Sequence, residues 1–193
     1  MEEAPPRYST IAMLLHWLVA LLIVANFALI YTTHHLPDDA QGRWIDLHMS
    51  IGLTVLGLVL LRLLWRIGHR PPPLPAYPQW ERTTARAVHA ALYVVMLALP
   101  LSGWIHDSAW KDAPANPFYW FGLFEWPRIA WIKNLSQARK EVLHGDFLQA
   151  HKLFGYALYA LVTAHILGAL KHQFLDGYPQ VQRMWPGRKY PLF

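Results

Sequence analysis

From Ile11 to Thr33 the chain runs for 23 residues without an Asp, Glu, Lys or Arg. At about 1.5 Å of rise per residue, a helix of that length covers a hydrocarbon core about 30 Å thick. Lipid offers no partners to backbone polar groups, so the run must satisfy its own by folding as a helix. A cleaved secretory signal fits it poorly. The apolar stretch is too long, Glu2 and Glu3 precede it, and no convincing small-residue cleavage site follows.

Three more runs have this character. The second, 44–67, carries Arg62 and Arg66 in its last turns, where long side chains snorkel to the headgroups. The third, 86–106, contains Pro100, which membrane helices tolerate and which predicts a kink. The fourth, 150–174, is free of charge from Leu153 to Leu170. The expected fold class is therefore all-α: an integral membrane four-helix bundle of up-down topology, forming a single domain over 1–193.

An even number of spans leaves both termini on one side. Arg66, Arg70, Pro71, Pro72, Pro73, Pro75, Pro78, Arg82 and Arg86 fill the second connection, and the tail adds Lys171, Arg183, Arg188 and Lys189. The first connection holds Asp38, Asp39 and Asp46 instead. The positive-inside rule then predicts cytoplasmic termini. The last connection, Asp107 to Gln149, is long for a bundle and carries Phe118, Tyr119, Trp120, Phe121, Phe124, Trp126 and Trp131. Such aromatics suit the outer membrane–water boundary, so part of it is expected to cap the bundle there.

The formal charge of +5 is spread along the flanks of apolar runs rather than clustered, which argues against a nucleic-acid partner. Cysteine is absent, which excludes disulfides, thiolate-held clusters and covalent haem attachment through C-x-x-C-H. Eleven histidines leave imidazole as the available metal ligand.

Intramembrane histidines are costly and face the bundle interior as a rule. His16 lies near the inner start of the first span and His48 near the outer start of the second. His151 is near the outer end of the fourth span and His165 near its inner end. Fourteen residues separate the last two, about 21 Å along a helix and nearly four full turns, so they share a face. Depth pairs His48 with His151 outside and His16 with His165 inside. Each pair is placed to sandwich one haem iron, giving two non-covalent haems of the b type. Gly52 and Gly155 follow His48 and His151 by four residues, and on the same helix face they remove side chains that would strike a macrocycle. The plainer role of each glycine alone is helix packing.

His89 shares the depth of His16 and is a candidate propionate or quinone contact, or a replacement ligand. His34, His35, His69, His106, His144 and His172 read as interfacial side chains, with His106 placed to border the outer haem. A surface metal site among His34, His35, His106 and His144 lacks supporting spacing. Arg62, Arg66 and Arg86 inside, and Arg43 or Lys152 outside, could pair with propionates, though boundary arginines need no such partner.

Arg7-Tyr8-Ser9 followed by Leu15-His16-Trp17 resembles the opening of the bacterial cytochrome b561 family. So do Leu47-His48-Met49-Ser50-Ile51-Gly52, Leu61-Arg62-Leu63-Leu64-Trp65-Arg66 with Pro71-Pro72-Pro73, and His151-Lys152-x-x-Gly155 with His165 and Lys171-His172. The resemblance covers nearly the whole chain. It implies a di-haem b cytochrome of the bacterial inner membrane with ligands at His16, His48, His151 and His165, exchanging electrons with the ubiquinone pool. For some members it also implies superoxide oxidase activity, with superoxide as the outer donor. Lys133, Arg139, Lys140 and Lys152 would then steer the anion, against Glu125, Glu141 and Asp146 in the same region.

Two other readings stand beside this one. A cytochrome b subunit would relay electrons between quinone and a periplasmic or membrane partner redox enzyme docked on the aromatic loop. A non-redox membrane scaffold or metal transporter would be colourless. Whether the chain is an enzyme is not decided by its composition.

Overall fold

The computed structural model describes residues 6–33, 35–73 and 77–187, without the side chain of Asp38. Glu2, Glu3, His34, Pro75, Arg188 and Lys189 lie outside the described residues.

Four long helices dominate: α1 (Thr10–Thr33), α2 (Asp38–Gly68), α3 (Gln79–Ser108) and α5 (Gln137–Leu170). A single turn, α4 (Ala130–Lys133), and a two-stranded hairpin, β1 (Tyr119–Trp120) with β2 (Phe124–Glu125), lie between α3 and α5. A π-turn, Lys171–Leu175, ends α5. All four long helices are long and apolar enough to cross a membrane. Their outward faces carry Leu21, Val24, Leu64, Ile67, Leu153 and Tyr156, each more than 60% exposed. That inside-out pattern suits lipid rather than water.

The four long helices, with the π-turn that ends α5, contain the four apolar runs, but most outreach them. α2 begins at Asp38 rather than Trp44, α3 at Gln79 rather than Arg86, and α5 at Gln137 rather than Ala150. The apolar run marks only the part of a helix fit for hydrocarbon. Residues 137–149 contain Ala, Arg, Lys, Glu, Leu and Gln, which are good helix formers in any solvent. The long last connection is correspondingly shorter, running from Ala109 to Ser136. Helix α3 continues through Pro100 without a break.

The core holds Val19, Leu29, Ile51, Val55, Val59, Leu92, Val95, Met96 and Leu158, drawn from all four helices. The outer connection docks on α2 through its hairpin. Phe121 N–H donates to Ser50 Oγ at 3.0 Å, Trp120 Nε1 donates to Thr54 Oγ1 at 3.2 Å, and Phe118 packs on Leu53 and Leu56. The hairpin turns with positive φ at Phe121 (48°) and Gly122 (72°), the backbone twist that tight hairpins favour. Arg128 fixes its far end, with Nε 2.9 Å from Asp107 Oδ2 and Nη1 donating to Ala113 O at 2.6 Å.

At the other end the residues before α1 meet those after α5. Tyr8 N–H donates to Arg183 O at 3.2 Å, and Trp17 Nε1 to Met184 O at 2.8 Å. Arg183 is the knot. It is 1% exposed, and its guanidinium donates to Pro6 O at 3.0 Å and Pro73 O at 2.8 Å. A charge placed at the boundary by the sequence pattern is thus enclosed by carbonyls from the amino-terminal segment and the Pro-rich connection.

Candidate functional site: two imidazole pairs

The helices bring the four span histidines together in two pairs. The rings of His48 (α2) and His151 (α5) stand 6.0 Å apart between centroids, at 83°. Those of His16 (α1) and His165 (α5) stand 6.1 Å apart, at 73°. Two metal–nitrogen bonds of about 2 Å, plus about 1 Å from each nitrogen to its ring centre, sum to roughly 6 Å. Both separations suit one metal ion held between two imidazoles. His89 (α3) lies 5.1 Å from His165, shorter than that sum.

His151 is held in the tautomer a ligand needs. Its Nδ1–H donates to Leu99 O at 2.9 Å, which leaves the Nε2 lone pair free. Ser102 Oγ sits 3.3 Å from the same Nδ1 and donates to Leu99 O at 2.7 Å. Behind the ring is Gly103, where a Cβ would come 3.0 Å from His151 Cε1 and 3.1 Å from Nδ1. Sequence reasoning missed Gly103 and Ser102, since only the packing of α3 on α5 reveals them.

A cavity of about 280 Å³ opens beside this pair, bordered by His48, His151, Gly52, Gly155, Asn26 and Met96. A Cβ on Gly155 would meet nothing within 4 Å, and one on Gly52 only Asn26 Nδ2 at 3.8 Å. His48 Nδ1 and Asn26 Oδ1 are buried without hydrogen-bond partners. A glycine-floored cleft between two imidazoles, with an orphaned ring nitrogen, fits a flat metallated macrocycle.

At the other pair Arg62 Nη1 lies 2.9 Å from His16 Nδ1. The guanidinium can only donate, so His16 accepts there and carries its hydrogen on Nε2. Ligation through Nε2 needs the reverse tautomer, which requires Arg62 to turn away. A cavity of about 440 Å³ borders Arg62, lined also by Arg7, Arg66 and Arg70 and, among the described residues, by no carboxylate.

Four of the remaining described histidines are otherwise engaged. His35 and His69 bond the carbonyls of Tyr31 and Trp65 one turn earlier. His106 and His144 stack at 3.9 Å, each Nδ1 donating to the other's carbonyl at 2.8 and 3.0 Å. Among Lys133, Arg139, Lys140 and Lys152, Lys152 borders the outer cavity.

Residues 7–187 match the family model described as prokaryotic cytochrome b561. The chain belongs to that family. It is 33% identical to cytochrome b561 homolog 2 of Escherichia coli K12, over 94% of this chain and 93% of that one. It is 26% identical to the probable superoxide oxidase CybB of Yersinia pestis, over 95% and 98% of the two chains. Identity to cytochrome b561 homolog 1 of E. coli K12 is also 26%, over 95% and 99%. As a cytochrome b561 family member it is a multi-pass membrane electron-transfer protein that binds haem b.

Proposed function

We propose that this cytochrome holds two haems, one between His48 and His151 and one between His16 and His165, and passes electrons from an outer donor to the ubiquinone pool. The observation that carries this is the matched separation of the two ring pairs, 6.0 and 6.1 Å. The haem supplies reversible one-electron chemistry at iron; everything else falls to the chain. Leu99 and Gly103 orient His151. Gly52 and Gly155 leave room against the macrocycle. Arg62, once displaced from His16, would be available to pair with a propionate, and His89 lies at the same end. The positive-inside distribution supports an up-down bundle with its termini and Pro-rich connection on the cytoplasmic side of the inner membrane.

Likeness to a probable superoxide oxidase supports superoxide as the outer donor. Two superoxide anions would each give one electron and become dioxygen, while one quinone takes both electrons and two protons to become quinol. Lys152 at the outer cavity offers the anion a positive approach. The test is purified protein in liposomes with a superoxide source and a short-chain ubiquinone. Quinol formation that requires the protein and slows as ionic strength rises supports the reading. Haem reduction by superoxide with no quinol formed would sink it.

The exposed hairpin favours a second reading. Tyr119, Phe121, Leu123 and Phe124 are 46, 43, 73 and 50% exposed. As a docking surface for a redox enzyme they would make the chain a relay subunit, and a haem-reducing partner would co-purify.

A further inference from the structure

A second cluster of metal-ligating side chains lies apart from both imidazole pairs, where α3 begins and α5 ends. Ligand atoms of Glu81, His172 and Asp176 lie within 4.8 Å of one another. The π-turn brings Lys171, His172 and Asp176 onto one side, and Glu81 faces them from the first turn of α3. Most of the hydrogen bonds there are accounted for. Lys171 Nζ donates to Glu81 Oε1 at 2.8 Å and to Asp176 Oδ2 at 2.9 Å, and His172 Nδ1–H donates to the same Asp176 oxygen at 2.6 Å. Tyr77 stacks on the His172 ring at 3.9 Å and 9°, fixing its plane.

Two side-chain oxygens there, Tyr77 Oη and Glu81 Oε2, have no hydrogen-bond partner among the described residues. Glu81 is only 10% exposed, and its Oε2 is buried without a hydrogen-bond partner. It faces His172 Nε2 at 3.8 Å, too far for a hydrogen bond. With Nδ1–H donating to Asp176, the ring in its neutral form would present the Nε2 lone pair toward Glu81. Two acceptors therefore face each other across a gap. A Zn–N and a Zn–O bond sum to roughly 4.2 Å, so an ion set slightly off the line reaches both atoms. The carboxylate behind Nδ1 is the partner that metal-ligating histidines use to fix tautomer and orientation. The charges agree as well. Lys171 pairs with both carboxylates, so beside a neutral His172 ring an added cation would meet one negative charge more than Lys171 offsets.

We propose that Glu81 Oε2 and His172 Nε2 form a binding site for a divalent cation of the zinc type, with Asp176 orienting the imidazole and water completing the coordination. The site clamps the start of α3 to the end of α5. Lys171 shares the carboxylates and opposes the ion, which makes the site exchangeable.

The test is zinc titration of the haem-loaded protein in nanodiscs, after chelator treatment, by calorimetry. Wild type takes up one zinc per chain saturably. Glu81→Gln and His172→Gln each weaken binding at least about tenfold, and Asp176→Asn weakens it about 10- to 100-fold. Lys171→Met tightens it, an outcome that a simple ion-pair knot would not give. Unchanged haem absorbance certifies each variant's fold, and the exposed Asp176→Asn serves where Glu81→Gln loses haem. Zinc uptake that is non-saturable, or unchanged across these variants, overturns the proposal, and the imidazole pairs are untouched by either result.

Discussion

Gly103 on α3 gives His151 on α5 the space its imidazole occupies: a Cβ there would stand 3.0 Å from Cε1. Helix packing at this one position sets both the ring's plane and the Nδ1–H bond to Leu99 O. The site depends on a residue with no side chain.

Gly103→Ala is therefore expected to push the His151 ring and weaken haem retention at the outer pair while sparing the inner one. The expected reading is a fall in haem per chain of up to one half, with Gly103→Val worse than Gly103→Ala. Pyridine haemochrome assay of the purified variants checks it; full haem content in Gly103→Val would contradict it.

Arg62→Gln removes a positive charge beside His16. Loss of a nearby cation favours oxidised iron, so the inner haem's midpoint potential should drop by tens of millivolts, as a rough Coulomb estimate. Redox titration should show one of the two components moving and the other holding still.

Arg183→Ala leaves the carbonyls of Pro6 and Pro73 without their donor in a buried place. Charged hydrogen bonds of this kind are worth about 1.5–3 kcal/mol each, so a loss of about 3 kcal/mol is expected. Thermal unfolding in detergent reports it as a lowered Tm, and Arg183→Lys should recover only part.

Tyr77 is pushed up to about 12, first by burial and then by Tyr178 and Asp176. Folding thus favours the neutral phenol. Its contribution is complete below the ordinary value of 10.0 and is lost as pH rises through about 12. The difference in 295 nm absorbance between wild type and Tyr77→Phe should titrate near pH 12 while the protein is folded.

The four spans were legible because lipid excludes charge, and a charge-free run is visible without any partner. The fourteen-position spacing of His151 and His165 likewise set depth by helical rise alone, and depth suggested the pairs whose rings the fold sets about 6 Å apart. The extension of α5 back to Gln137 was not legible, since polar helix-forming residues carry no lipid signature. Neither was the burial of Arg183, whose carbonyl partners at Pro6 and Pro73 come from segments more than 100 residues away. The cluster at Glu81 joins α3 to the end of α5 through a π-turn, and no local pattern announces one.

The central claim is that each imidazole pair holds one haem. The direct measurement is haem per chain, with the dithionite-reduced spectrum, in wild type, His48→Ala and His16→Ala. Two non-covalent haems in wild type, and one remaining in each variant with sharp reduced α and β bands, is the predicted result. A colourless wild type from haem-sufficient cells, or a wild type holding one haem that survives both substitutions, would contradict the account.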